Sequence, residues 1–195
     1  MYDYFNGKIA ALTPTHVTVD CGGVGYHLQI SLYTFSAIKE NTNVKLFANQ
    51  VVREDAHLLF GFCDEDERYM FRELLNVNGV GATTARIIQS SLTPDQLRSV
   101  ISKGDAVTLQ KVKGIGTKTA QRIVLDLQDK INKGQVSSAT SIPGVHNTAR
   151  EEALSALLTL GFARVSAEKA LMLAQKSAGV EARVEDLIKV ALSYL

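Results

Sequence analysis

Two short glycine turns, Asn78-Gly79-Val80-Gly81 and Lys113-Gly114-Ile115-Gly116, recur 35 residues apart. Similar runs follow them: Ala82-Thr83-Thr84-Ala85-Arg86-Ile87-Ile88 after the first, and Thr117-Lys118-Thr119-Ala120-Gln121-Arg122-Ile123-Val124 after the second. Glycine reaches positive φ and has no Cβ, so a Gly-x-Gly turn can press its main-chain N–H groups against one cluster of phosphate oxygens. The unpaired N–H groups that open the next helix can join them. Such a grip holds a nucleic-acid backbone without reading its sequence. A single Gly-x-Gly is equally a helix C-cap with a packing glycine; two copies with one downstream pattern are harder to explain that way. A dinucleotide fold needs a strand before the glycines, whereas Phe71-Arg72-Glu73-Leu74-Leu75 reads as helix. The run Gly116-Thr117-Lys118-Thr119 does not complete a nucleotide-binding P-loop.

The elements that must position these turns are helical. Phe71, Leu74, Leu75 and Val77 precede the first turn, and Val107, Leu109 and Val112 the second, at amphipathic spacing. Each unit therefore reads helix, tight turn, helix, the helix-hairpin-helix pattern. Thr93-Pro94-Asp95-Gln96 is a capping box with proline at the first helical position and starts the connecting helix. Asp64-Glu65-Asp66-Glu67 sets negative charge at the start of the first helix, where the dipole favours it. Residues 64–133 are thus expected to form one compact helical domain. Net charge over the 195 residues is only +1, but residues 71–133 hold ten Lys/Arg against five Asp/Glu, while residues 1–63 hold four against five. Positive charge is concentrated around the turns.

Residues 1–63 read as a small β-barrel. Alternation predicts strands at Phe5 to Leu12, Val17 to Asp20 and Tyr26 to Ile30, with the turn Gly22-Gly23-Val24-Gly25 joining the last two. A short helix fits Leu32 to Ile38, and two more strands, Val44 to Val52 and Ala56 to Phe60, flank Arg53-Glu54-Asp55. Five strands with one helical interruption suit an OB-type barrel. Residues 134–147 lack Asp, Glu, Lys and Arg and are rich in Gly, Ser, Thr and Pro, the composition of a flexible linker. In residues 148–195, Thr148-Ala149-Arg150-Glu151 is a second capping box, and Leu154, Leu157 and Leu158 line one helical face up to Gly161. Ser166 to Gln175 and Glu185 to Tyr194 supply two more helices. So small a bundle is marginal alone. Leu171, Met172 and Leu173 are adjacent and cannot all face one core; Leu171 and Met172 are candidate partner contacts, although a loosely packed core also accounts for them.

The order of parts resembles the RuvA family of Holliday-junction-binding proteins, over the whole chain. It is an α+β multidomain layout of OB-type barrel, tandem helix-hairpin-helix, linker and C-terminal three-helix (UBA-like) bundle. The most specific motifs are Val51-Val52-Arg53-Glu54-Asp55-Ala56-His57-Leu58-Leu59-Phe60-Gly61-Phe62, Gly22-Gly23-Val24-Gly25-Tyr26 and the two glycine turns. The resemblance implies a homotetramer, one or two per junction, that spreads a four-way DNA junction on a basic face in homologous recombination and DNA repair. The DNA contacts it implies are Asn78, Gly79, Val80, Gly81, Ala82 and Thr83 in the first turn. In the second they are Lys113, Gly114, Ile115, Gly116, Thr117, Lys118 and Arg122. The C-terminal bundle is implied to recruit RuvB, a hexameric ATPase that uses ATP and Mg, and the RuvC junction resolvase is implied as a further partner. No cofactor or metal is expected on this chain, and no catalytic site. Glu54 and Asp55 correspond to an acidic pin at the tetramer centre, where carboxylates gathered by fourfold symmetry would repel continuous duplex; without the resemblance, Arg53-Glu54-Asp55-Ala56 reads more simply as a polar hairpin turn. The chain departs from the family at Thr83 and Thr117, both positions often filled by lysine. Weaker electrostatics are therefore expected at the first turn, and the sequence leaves open whether Arg86 compensates.

Two other functions compete. A helix-hairpin-helix glycosylase or lyase needs a catalytic Asp and a base-flipping pocket; Asp126 is more simply an i,i+4 partner of Arg122. A single-strand-binding scaffold needs aromatics projecting from the barrel for stacking, and the chain has no Trp and few aromatics outside expected core positions. His16, His27, His57 and His146 show no metal spacing. Cys21 and Cys63 are too few and isolated for a disulfide framework. The start Met1-Tyr2-Asp3-Tyr4 has no signal-peptide layout and no run reaches membrane-spanning length, so a cytoplasmic protein without membrane partners is expected.

Overall fold

The computed structural model describes residues 1–138, 148–178 and 182–195. The chain forms two compact units, Met1–Ala139 and Thr140–Leu195. In the first, strands β1 (Tyr4–Leu12), β2 (His16–Cys21), β3 (Val24–Gln29), β4 (Asn43–Val52) and β5 (His57–Phe62) close a barrel in the order β1-β2-β3-β5-β4. Only the β3–β5 pairing is parallel. Period-2 alternation puts Phe5, Val17, Val19, Leu28, Val44, Leu46 and Ala48 inside. Helix α1 (Leu32–Ile38) lies between β3 and β4 and begins at Ser31, whose side chain caps the N–H of Thr34. The expected five-stranded barrel with one helical interruption is thus present.

The barrel does not end in a packing boundary at residue 63. Phe60 and Phe62 of β5 join the core of the helices that follow, with ring centroids 5.0 and 4.9 Å from Phe71. Those helices are α2 (Glu65–Leu75), α3 (Ala82–Ser91), α4 (Pro94–Ser102), α5 (Ala106–Gln110) and α6 (Thr117–Ser138). Thr93 and Gln96 form the expected capping box before α4. Leu74, Ile88, Leu97, Ile101, Leu109, Ile123 and Leu127 fill the shared interior.

Helix α6 runs five residues into the span that composition assigns to a linker, since no proline occurs between Thr117 and Pro143 and one interior glycine, Gly134, costs a helix only about 1 kcal/mol. The remainder of that span, 139–147, lies outside the described residues.

The second unit contains α7 (Thr148–Thr159), α8 (Arg164–Ala178) and α9 (Val184–Leu192). The side chain of Thr148, and with it the second capping box, lies outside the described residues. The core is built on alanine: Ala153, Ala167, Ala170, Ala174 and Ala191 surround Leu157, Leu171 and Leu187. Leu158, expected on the inner stripe of α7, faces out, because Ala153 and Leu157 take the inward positions four residues apart. The Leu171 expectation needs the same correction. Its side chain is 1% exposed and packed in the bundle, one turn from Ala167 and Ala174, whereas Met172 is 49% and Leu173 42% exposed.

Candidate nucleic-acid interface

The two glycine turns repeat each other bond for bond. In the first, Val77 N–H donates to Leu74 O (3.1 Å), Val80 N–H to Val77 O (3.0 Å) and Ala85 N–H to Gly81 O (2.9 Å). In the second, Val112 donates to Leu109 O (3.1 Å), Ile115 to Val112 O (3.1 Å) and Ala120 to Gly116 O (2.9 Å). The middle residues Val80 and Ile115 are buried, as is Ala82. They anchor the turns from beneath, so any contact they make to DNA is through the main chain.

The paired glycines do different work. Gly79 and Gly114 have φ of 90° and 87°, the left-handed region that side chains avoid, and so they make the turn. Gly81 is extended, φ −89° and ψ 169°, at the N-cap of α3. A Cβ built on Gly81 or on Gly116 meets no atom within 4 Å. Nothing inside the protein demands glycine at these two places; what they keep open is the approach to the helix N-terminus from outside. Helices α1, α2, α4 and α5 each spend a side chain on capping that terminus, through Ser31, Asp64, Thr93 and Asp105. Helix α3 has no side-chain cap, and Gly116 has no side chain to offer α6. The N–H groups at the start of α3 and α6 are left for an external acceptor, and the local dipole favours an anion.

Charge is uneven between the turns. Around the second, Lys111, Lys113, Lys118 and Arg122 are all exposed. Arg122 lies 3.9 Å from Asp126, the surface i,i+4 pair expected from spacing. Among the described residues no ion pair involves Lys113 or Lys118. Around the first, Asn78, Gly79, Gly81 and Thr83 are exposed and uncharged. Arg86 does not make up the difference. Its Nη1 donates to the main-chain oxygens of Thr15 (2.9 Å) and Ile30 (3.5 Å) on the barrel, and its Nε is buried without a partner. Burial also lowers its pKa from the ordinary guanidinium value.

Glu54 and Asp55 occupy the β4–β5 hairpin tip, closed by Arg53 N–H to Ala56 O (2.8 Å), and both are exposed. The barrel bearing this tip is fixed to α2 and α3 by polar groups that sequence reasoning missed. Glu67 reads as one of four acids at a helix start, yet it is fully buried. Its carboxylate accepts from the hydroxyls of Ser31 and Thr34 (the latter 2.5 Å) and from the Cys63 N–H (3.3 Å). Burial raises its pKa above the ordinary carboxylate value against the opposing pull of those donors. Gln89 of α3 donates to the Glu67 main-chain oxygen (2.6 Å). Beside it, burial and the neighbouring Asp64 push the Tyr33 phenol up to about 12. Arg68 pairs with Asp3 (2.6 Å) and lies over the Phe47 ring.

Comparison with known proteins covers all three parts of the chain. The RuvA N-terminal domain matches residues 1–61, a SAM-like helix-hairpin-helix tandem residues 71–129, and the RuvA C-terminal domain residues 148–195. The chain belongs to the RuvA family. A relative from Cytophaga hutchinsonii, named Holliday junction branch migration complex subunit RuvA, is 45% identical over 98% of both chains. Relatives with that same name from Porphyromonas gingivalis and Bacteroides fragilis are 44% and 43% identical over the whole of both chains. Membership in the RuvA family joins the barrel and the turn pair in one architecture and disfavours both rival functions. Asp126 is a surface ion-pair partner. Among the described residues no group of three His, Cys, Asp or Glu is placed to hold a metal, and no helix is long and apolar enough to cross a membrane.

Proposed function

We propose that this chain binds four-way DNA junctions, holds them open, and recruits a RuvB ATPase that drives branch migration. One observation carries the binding half. Two turns of the same geometry keep glycine where the fold has no need of it, directly in front of helix N-termini. Each turn grips one stretch of phosphate backbone, through Gly79, Gly81, Ala82 and Thr83 in one and Gly114, Gly116 and Thr117 in the other; Asn78, Lys113, Lys118 and Arg122 flank them. The grip reads no bases, so selectivity comes from shape. In a homotetramer the four copies of Glu54 and Asp55 meet at the crossover, where they repel a continuous duplex and tolerate separated strands.

The chain contributes no catalysis; ATP and Mg are used by the motor. Recruitment falls to the C-terminal unit, whose α8 presents Val165, Met172 and Leu173 outward, an apolar face suited to a protein partner. The RuvC resolvase then meets the junction held in this open form. The test is strand exchange of a labelled junction with RuvB, ATP and Mg. Products should form only when this chain is present, and products formed equally without it would contradict the assignment.

A further inference from the structure

The two turns are attached to the barrel differently. The first is bolted to it. Arg86 of α3 reaches the carbonyls of Thr15 and Ile30, and Ser90 Oγ accepts from the Leu32 N–H (3.1 Å) while donating to Arg86 O (2.8 Å). Gln89 holds the main chain of Glu67, whose carboxylate is held in turn by Ser31 and Thr34 of the barrel. The side-chain hydrogen bonds of α6 instead reach other helices: Gln128 to Ser102 O (3.0 Å), Ser102 to Asn132 (2.6 Å) and Lys130 to Glu73 (3.2 Å). The exposed cations gather on this second turn, while the first has given its one cation to the barrel.

We propose that Arg86 is a positioning residue that sets junction selectivity: it fixes the first glycine turn at a set place on the barrel that carries Glu54 and Asp55. The first turn then measures where an arm lies relative to the acidic tip, and the second supplies most of the charge that holds it. A duplex that satisfies the turns while colliding with the tip is rejected only if turn and tip cannot move apart. The Nη1 of Arg86 is committed to two barrel carbonyls, and its Nε is buried. This inference rests on the junction-binding reading above.

The test uses the full chain as wild type, Arg86→Gln, Ser90→Ala and Lys118→Ala, titrated against a four-way junction and a linear duplex over a salt series. Ser90→Ala loosens the same joint without removing charge. Arg86→Gln should lower the junction-to-duplex affinity ratio about tenfold, the scale of one lost charge-assisted hydrogen bond, and Ser90→Ala about fivefold, the scale of a lost neutral one. Duplex affinity should stay within about twofold, with its salt slope unchanged. Lys118→Ala should weaken both ligands alike and shallow the slope by about one. If Arg86→Gln shallows the slope by about one while Ser90→Ala changes nothing, Arg86 is a phosphate contact and the proposal fails. It fails also if both joint variants keep the wild-type ratio. Should Arg86→Gln not fold by its melting curve, Ser90→Ala decides alone. A wild-type chain with no junction preference overturns the junction reading itself, whereas a wild-type preference retained in both variants overturns only this proposal.

Discussion

Replacing Gly81 and Gly116 together by valine separates the needs of the fold from those of the ligand. Inside the protein the change is mild. Neither new Cβ meets an atom within 4 Å, and the extended backbone at Gly81 suits a β-branched residue. Losing glycine at a helix N-cap costs at most about 1 kcal/mol, offset in part by the reduced freedom of the unfolded chain, about 0.4–1 kcal/mol. At the ligand the change is severe. A side chain in front of each helix start holds the phosphate off the N–H groups, and each charge-assisted hydrogen bond lost is worth about 1.5–3 kcal/mol. One such loss per turn lowers junction affinity about 10²- to 10⁴-fold. Fluorescence anisotropy at fixed salt measures the affinity, and circular dichroism with a melting curve establishes that the variant is folded. A folded double variant with undiminished affinity would refute the glycine-turn grip.

Four further outcomes follow from the same geometry. Thr83 stands where Lys118 stands one repeat later and is exposed, so Thr83→Lys should steepen the slope of log affinity against log salt by about one; an unchanged slope would remove Thr83 from the interface. Glu54→Gln with Asp55→Asn should strengthen duplex binding and reduce junction preference, and equal duplex affinity would leave the tip as an ordinary turn. A fragment of residues 1–138 should tetramerise and bind junctions yet fail to support branch migration with RuvB and ATP; loss of junction binding would break that division of labour. Glu67→Gln should flatten part of the pH dependence of stability. The folded state holds the Glu67 proton at a higher pH than the unfolded chain does, so this contribution is full below the unfolded value of about 4.3 and is lost as pH rises through the folded value. Urea unfolding should therefore show wild type gaining on the variant as pH falls from 7 toward 4.3, and parallel curves would contradict it.

The features legible in the sequence were those written in local periods. Alternation marked the first three of the five strands, and the repeated glycine turns stood out because both members of each pair fall at equivalent steps. The limits of α1 at Leu32 and Ile38 followed from the same reading. What escaped was long-range. Glu67 sits in an acidic run whose other members are exposed or capping, and its hydroxyl partners Ser31 and Thr34 lie more than thirty residues earlier. Arg86 looks like a phosphate ligand because its true acceptors are main-chain carbonyls, which have no residue-type signature. In the C-terminal unit, adjacent Leu171, Met172 and Leu173 could not be sorted because alanines carry the inward stripe.

The most direct measurement is a competition titration in which a labelled four-way junction bound by the full chain is challenged with unlabelled junction, linear duplex of equal length and single-stranded DNA. The account predicts that unlabelled junction displaces the probe at far lower concentration than duplex, and that single strands compete least. Equal displacement by duplex, or stronger displacement by single strands, would contradict it.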